Sequence, residues 1–277
     1  MKKYVKKIVS WLAVYSGIAR ARRYFRRNLP VVLCYHRVVD DLAQAHQYSD
    51  SGMVVSRETF RRQMEFLRRH YCVISMDTFT RFLDGAGPLP QYSVLVTFDD
   101  GYKDNFTCAY PVFTELDLPV TLFVTTGFID GRIVPEWDRE VNGQRPEMLS
   151  WEEIRRMESN GVTIGAHTVT HPEFGTTDPS REEERLTEIP ASKLRLEGVL
   201  GQPVEVFAYP KGSMSTAALN AVKQAGFKTA FVVRRRGAGH DRRYCWPRIP
   251  VNEGRTRGPR GETDMRMFAC ALAGIWK

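Results

Sequence analysis

The sequence predicts an α/β protein folded as a closed or nearly closed (β/α)7-8 barrel, a single domain behind a basic N-terminal helical segment. Three observations predict it. Short runs of Val, Leu, Ile and Phe, suited to interior parallel strands, alternate with longer segments whose apolar residues recur at helical spacing. About seven such units follow one another, which suits a closed or nearly closed barrel. Finally, His36, Asp99, Asp100, His167, His171 and Tyr209 all fall just after predicted strands, where such barrels carry their reactive groups. An open doubly wound sheet is the alternative with the same alternation.

Taken in order, residues 1–28 form the basic segment and 29–277 the barrel domain. Val31–Tyr35 is the first interior strand and runs into His36; a loop from Val39 to Val55 follows. Ser56 caps a helix with Phe60, Met64, Phe66 and Leu67 at helical spacing, and Asp77 caps a shorter one. The strand from Tyr92 to Phe98 delivers Asp99 and Asp100. A helix over 105–116, interrupted near Pro111, leads to the strand Val120–Thr125 and then a long polar loop, 127–149, on the same end as the acids. Ser150 and Glu153 make a capping box whose helix stops at Asn160 and Gly161. Strand Val162–Ala166 runs into His167. A charged helix from about Ser180 to Leu200, strand Val204–Ala208, helix Thr216–Ala225 and strand Thr229–Val233 continue the rhythm. The basic loop Arg234–Arg243, strand Pro247–Val251 and a final helix from about Asp264 to Trp276 complete it.

Bulk properties exclude several classes. With 277 residues, 43% hydrophobic and 26% charged, the chain can bury one barrel-sized core. Its net charge of +8 is concentrated: residues 1–28 hold nine Lys or Arg and no acid, leaving 31 basic against 32 acidic residues elsewhere. A near-neutral body argues against a nucleic-acid partner. Cys34, Cys72, Cys108, Cys245 and Cys270 are odd in number and widely spaced, as reduced core thiols would be.

Between the two basic clusters, Ile8–Ala19 is twelve residues without charge, too short for an ordinary membrane span. Five arginines then follow between residues 20 and 27. The segment reads as an amphipathic piece lying on an anionic membrane surface, with Trp11, Tyr15 and Tyr24 at the interface. This predicts a cytoplasmic protein, peripheral on the inner membrane face. Two alternatives stand beside it: an export or anchoring signal, since Ala19-Arg20-Ala21 has a small-x-small pattern, and a helix docked on the protein's own core.

Asp99 and Asp100 carry the most chemistry. Two like charges side by side at a buried strand end are costly unless one binds a cation and the other serves beside it as a base. His167 and His171 leave another strand end, and one carboxylate with two imidazoles makes a three-ligand site with an open position. Singly these are weak signals: Asp-Asp-Gly is a common turn, and Pro172 argues against a helical His-x-x-x-His pair. Convergence on strand ends is what gives them weight.

Thr97-Phe98-Asp99-Asp100-Gly101 together with His167-Thr168-Val169-Thr170-His171 resembles the polysaccharide deacetylase family, the family-four carbohydrate esterases, over roughly residues 30–252. The resemblance implies a deformed (β/α)7-8 barrel as a single catalytic domain and metal-dependent removal of an N-acetyl group from a hexosamine. Asp100, His167 and His171 would hold the metal, usually zinc, with cobalt or nickel also suited, and Asp99 would be the general base. The commonest family pattern has an arginine motif where this chain has Phe207–Gly212, and a Leu-x-His setting that His240 lacks. The chain instead resembles a permuted branch containing biofilm poly-N-acetylglucosamine deacetylases, in which an early Tyr-His supplies the acid; Tyr35-His36 matches it. By the same resemblance Arg248 orients Asp99, and the Tyr209 amide faces the oxyanion. Tyr102, Trp137, Trp151 and Trp246 are candidates to stack on sugar rings. The expected partner is an N-acetylated glycan or a lipid-linked sugar, with Lys211 or Arg234–Arg236 as candidates to meet a diphosphate. A non-haem iron oxygenase using the same two histidines and carboxylate, or an inactive glycan-binding homologue, are the alternatives.

Overall fold

The computed structural model describes residues 8–9, 12–14, 16–175, 181–233, 241–257 and 262–275. Trp11, Tyr15, Arg234–Arg236, His240 and Trp276 lie outside them. After helix α1 (Ile18–Phe25) come β1 (Val31–Tyr35), β2 (Arg37–Val39), α2 (Leu42–Tyr48), β3 (Val54–Ser56), α3 (Arg57–His70), β4 (Cys72–Val73), α4 (Met76–Leu83) and β5 (Ser93–Phe98). A π-turn over Asn105–Ala109 runs into α5 (Tyr110–Glu115), which carries Pro111 in its first turn. Then follow β6 (Thr121–Val124), α6 (Trp151–Ser159), β7 (Thr163–Ala166), α7 (Glu182–Leu200), β8 (Val206–Ala208), α8 (Thr216–Gln224) and β9 (Thr229–Val232). The last elements are β10 (Trp246–Pro247), β11 (Ile249–Pro250) and α9 (Met265–Leu272).

Every pairing in the main sheet is parallel, in the order β10-β9-β8-β7-β6-β5-β1-β11, with β4 beside β5. β10 and β11 are the halves of one segment broken at Arg248, and they pair with opposite edges, β9 and β1. The Arg248 amide donates to Val232 O and the Val251 amide to Cys34 O, each at 2.8 Å. One stave thus bridges both edges, and the sheet becomes a parallel barrel rather than an open doubly wound sheet.

Strand alternation sorts the core into two. Val31, Leu33, Tyr35, Val94, Val96 and Phe98 face the helical layer, where Phe60, Leu67 and Phe113 cover them. Val32, Leu95, Phe123, Val206 and Phe231 form a second cluster with Phe79 of α4 and with Leu89. Gly165 makes room in that second layer, since a Cβ there would stand 2.5 Å from the Phe123 ring and 2.9 Å from Val206.

The structure departs from the sequence reading in places. Residues 39–55 are not a plain loop: β2 and β3 pair in parallel around α2, whose first amides are capped by the Asp41 carboxylate. Ser75, not Asp77, caps α4, its hydroxyl accepting from the Thr78 amide. The Ser150–Glu153 capping box is present.

Candidate active site

The site is assembled at the carboxyl ends of the staves. Asp99 and Asp100 follow β5, His167 follows β7, His36 follows β1, and Arg248 sits at the break in the closing stave. Asp100 has φ 74°, His171 φ 64° and Thr168 φ 68°, left-handed conformations uncommon for such residues. At Asp100 that turn brings two successive carboxylates, which would otherwise alternate across the strand, to one place. The His167–His171 turn is held from within and from α7: the His171 amide donates to Thr168 Oγ1 at 3.0 Å, and Glu188 accepts from the Val169 and Thr170 amides at 3.1 and 2.8 Å.

His167 Nδ1 lies 2.7 Å from Ala208 O, so it carries the proton and leaves the Nε2 lone pair free. That Nε2 and the Nε2 of His171 each lie 3.6 Å from Asp100 Oδ1. Burial pushes the His167 imidazole down to about 4, and burial together with His167 pushes His171 well down, so both rings are neutral. Asp100 is driven up, first by burial and then by the adjacent Asp99 charge. Its Oδ1 is buried with no hydrogen-bond partner. An orphaned carboxylate oxygen facing two neutral imidazoles is the donor set of a divalent cation, and the residues present fit one.

Asp99 is treated differently. Arg248 Nη1 donates to Asp99 Oδ1 and Nη2 to Oδ2, both at 2.6 Å. Arg248 Nη1 also reaches Thr97 Oγ1 at 3.2 Å, and the Cys34 thiol donates to Asp99 Oδ2 at 3.2 Å. Burial raises the Asp99 carboxyl most, but the charge and hydrogen bonds of Arg248, together with His167 and His36, outweigh it and hold the group well below the usual carboxylate range. Asp99 is therefore ionised, oriented and 3.9 Å from His167 Nε2. Cys34, His36 and Asp99 also cluster, but the guanidinium on both Asp99 oxygens opposes a second cation there. The His36 imidazole is lowered by burial, and its Nδ1 is buried without a partner.

Other predicted site residues are placed differently. The Tyr209 amide donates to Phe231 O at 2.9 Å, so it is spent on the β8–β9 ladder rather than free for an oxyanion, a correction to its expected role. Tyr102 is fully buried and cannot stack on a sugar. Its hydroxyl donates to Asp138 Oδ2 at 2.7 Å and accepts from Trp137 Nε1 at 2.9 Å. Trp137 packs on the ligand-set ring His171, centroids 4.6 Å apart. Trp151 packs on the core under the Arg195 guanidinium, and Trp246 packs on Phe79, the α4 residue of the inner cluster; neither joins the ligand set. Lys211 is ion-paired with Glu136 at 2.9 Å.

Sequence reading missed Cys34, Thr97, Asp138 and Glu188. Cys34 and Thr97 share the strand face of His36 and Asp99, a signal the period of two carries. Asp138 and Glu188 left none, because their partners lie 36 and 18 or 19 residues away.

Comparison with known proteins agrees with this geometry. Residues 86–230, more than half of the chain, match the family model described as polysaccharide deacetylase. A putative polysaccharide deacetylase of Bacillus subtilis (strain 168), YxkH, is 23% identical over 229 residues, spanning 82% of this chain and 72% of its own. The poly-β-1,6-N-acetyl-D-glucosamine N-deacetylase of Staphylococcus aureus is 24% identical over 244 residues, 83% of this chain and 81% of its own. The solved structure of IcaB from Ammonifex degensii superposes with a TM-score of 0.68 at 25% identity, covering 88% of this chain and 96% of that one. The chain belongs to the polysaccharide deacetylase family, hydrolases of the carbohydrate N-acetyl amide bond.

Proposed function

We propose that the protein is a metal-dependent de-N-acetylase that hydrolyses the acetamido group of an N-acetylhexosamine glycan, releasing acetate and a free amine. One observation carries the reading: Asp100 Oδ1 is unpartnered between two imidazoles while its neighbour Asp99 is withheld by Arg248. Asp100, His167 and His171 would hold the ion, zinc by preference with cobalt or nickel as substitutes, and it would supply a lowered water pKa and a polarised acetyl carbonyl. Asp99 accepts the proton of the attacking water as its oxygen bonds to the acetyl carbon. When the carbon–nitrogen bond breaks, His36 in its imidazolium form donates a proton to the leaving amine, and the proton taken up by Asp99 passes to His36 to restore both groups. Arg248 keeps Asp99 ionised and fixed for its part in the reaction.

The substrate named for the S. aureus relative supports a polymer of N-acetylglucosamine. No observation favours an iron oxygenase, and an inert glycan-binding protein would have no use for a buried, pre-ionised Asp99. The five free cysteines support a reducing compartment, hence the cytoplasmic face of the inner membrane rather than an exported form; cell fractionation tests this. For the reaction, acetate release is measured on N-acetylglucosamine oligomers and on a lipid-linked N-acetylated sugar. Release should vanish with chelator and return with zinc. Zinc-loaded protein inert on every acceptor would refute the reading.

A further inference from the structure

Large apolar side chains are unevenly exposed. Ten stand exposed among the described residues, and seven of them lie within residues 8–29, including Leu12, Ile18, Tyr24, Phe25 and Leu29. None of the eight residues of α1 is buried, and Phe25 is 80% exposed. Ile18 and Phe25 are seven apart on this helix and so share a face, with Arg22 between them. All nine cations of residues 1–28 lack an acid within the segment. An apolar face among cations only is the pattern of a helix lying in the headgroup region of an anionic bilayer.

The segment's attachment fixes which way it faces. The Arg23 guanidinium lies 4.4 Å from the Tyr71 and Tyr92 ring centroids and donates to His70 O, while the Tyr92 amide donates to Arg27 O at 2.6 Å. Tyr71 and Tyr92 immediately precede β4 and β5, so α1 sits at the amino end of the barrel. Asp99 and Asp100 leave β5 at the other end, about 20 Å away along the strand.

We propose that α1 and its flanking residues dock the protein on an anionic lipid bilayer through the amino end of the barrel, so that the catalytic mouth faces away from the membrane. The surface is independent of the reaction at the mouth. Its consequence for substrate is that a glycan strand extending from the bilayer can be reached, whereas a sugar held at the headgroups by its own lipid cannot.

The test is flotation of the full chain with phosphatidylglycerol–phosphatidylcholine vesicles against phosphatidylcholine alone, with amide hydrogen exchange on the bound protein. Binding should require the anionic lipid and weaken about tenfold or more as salt is raised. It should fall similarly in Ile18→Ser/Phe25→Ser and in Arg20→Glu/Arg22→Glu, but not in Leu194→Ser, an exposed apolar residue elsewhere. Bound protein should show slowed exchange over residues 16–29 and unchanged exchange over 127–149. Failure to float, binding indifferent to the four α1 substitutions, or protection of 127–149 instead would each overturn the proposal. So would duplex DNA stripping the chain from vesicles with an affinity that the Ile18→Ser/Phe25→Ser variant retains. None of these readouts uses acetate release, so loss of the deacetylase reading and loss of this one are separable.

Discussion

Arg248 and Asp99 are joined by two parallel hydrogen bonds of 2.6 Å, and the arginine is the residue at which the barrel's closing stave changes partners. The backbone closure of the fold and the ionisation of the proposed base therefore meet at one residue. Its guanidinium is fully buried, and a fork matching both carboxylate oxygens fixes the plane as well as the charge of Asp99.

Replacing Arg248 should damage both. Arg248→Met leaves a buried carboxylate without its counter-charge, a loss of about 3–5 kcal/mol in such settings. Arg248→Lys keeps charge but not the fork, and should retain more stability than turnover. The pH dependence has a definite sign. Asp99 is depressed in the folded state, so its ionised form contributes stability above the unfolded carboxylate pKa, and this is lost as pH falls through the folded value. In Arg248→Met burial prevails and the Asp99 pKa rises, so the acid limb of acetate release should move to higher pH. Urea unfolding and pH–rate profiles check this; an unmoved acid limb would remove Arg248 from the control of Asp99.

Ligands and base should separate cleanly in mutants. His171→Ala and Asp100→Ala remove donors, so bound zinc and activity should disappear together. Asp99→Asn and His36→Ala leave all three donors in place, so zinc should stay near one equivalent while turnover falls about a hundredfold or more. Metal analysis beside acetate release decides it. Equal zinc loss in all four variants would overturn the division of roles.

Much of this was legible because strand ends expose chemistry. A run such as Ser93–Phe98 announces a buried strand, and whatever follows it must stand at the rim, which is why Asp99, Asp100, His36 and His167 could be placed without coordinates. What could not be read was long-range or conformational. That Asp100 turns left-handed to share a site with Asp99 is a backbone fact. That Tyr102 is buried against Asp138, and that Trp246 packs on Phe79, depends on which distant segments meet. An aromatic near a site in sequence carries no sign of whether it faces sugar or core. Residues 247–251 read as one strand; only the pairing of Trp246–Pro247 with β9 and of Ile249–Pro250 with β1 reveals the closure.

Gly165→Ala should show how tightly the barrel interior is packed. The added methyl would meet the Phe123 ring at 2.5 Å and Val206 at 2.9 Å, and both neighbours are themselves buried in the inner cluster. Overpacking of this kind costs about 1–3 kcal/mol. Gly198, on α7, is the control: a methyl added there would have no neighbour within 4 Å, and its alanine variant should be neutral to stabilising. Denaturant midpoints measured side by side give the comparison; equal effects at the two glycines would contradict the packing described.

Trp137 is half-buried and lies against His171. Its ring is held by Nε1–H donating to Tyr102 Oη, and Tyr102 donates in turn to Asp138, which also accepts from Ser49 Oγ at 2.5 Å. Ser49 accepts from Arg37 Nη1, and Arg37 Nε binds Asp104 at 2.8 Å. The adjacent Asn105 amide donates to His36 O at 2.7 Å, so the chain of contacts runs from beside one imidazole of the ligand set to the backbone of the proposed acid. A buried network acts through the groups it holds. Tyr102→Phe removes the link between Trp137 and Asp138 while keeping the ring, and should lower zinc affinity about tenfold or more with little change in far-UV dichroism. A sugar-stacking role predicts the opposite pattern, unchanged zinc affinity with a raised KM. Zinc titration of Tyr102→Phe and Asp138→Asn, set against their KM on an N-acetylglucosamine oligomer, distinguishes the two, because only a positioning role moves the metal before it moves the substrate.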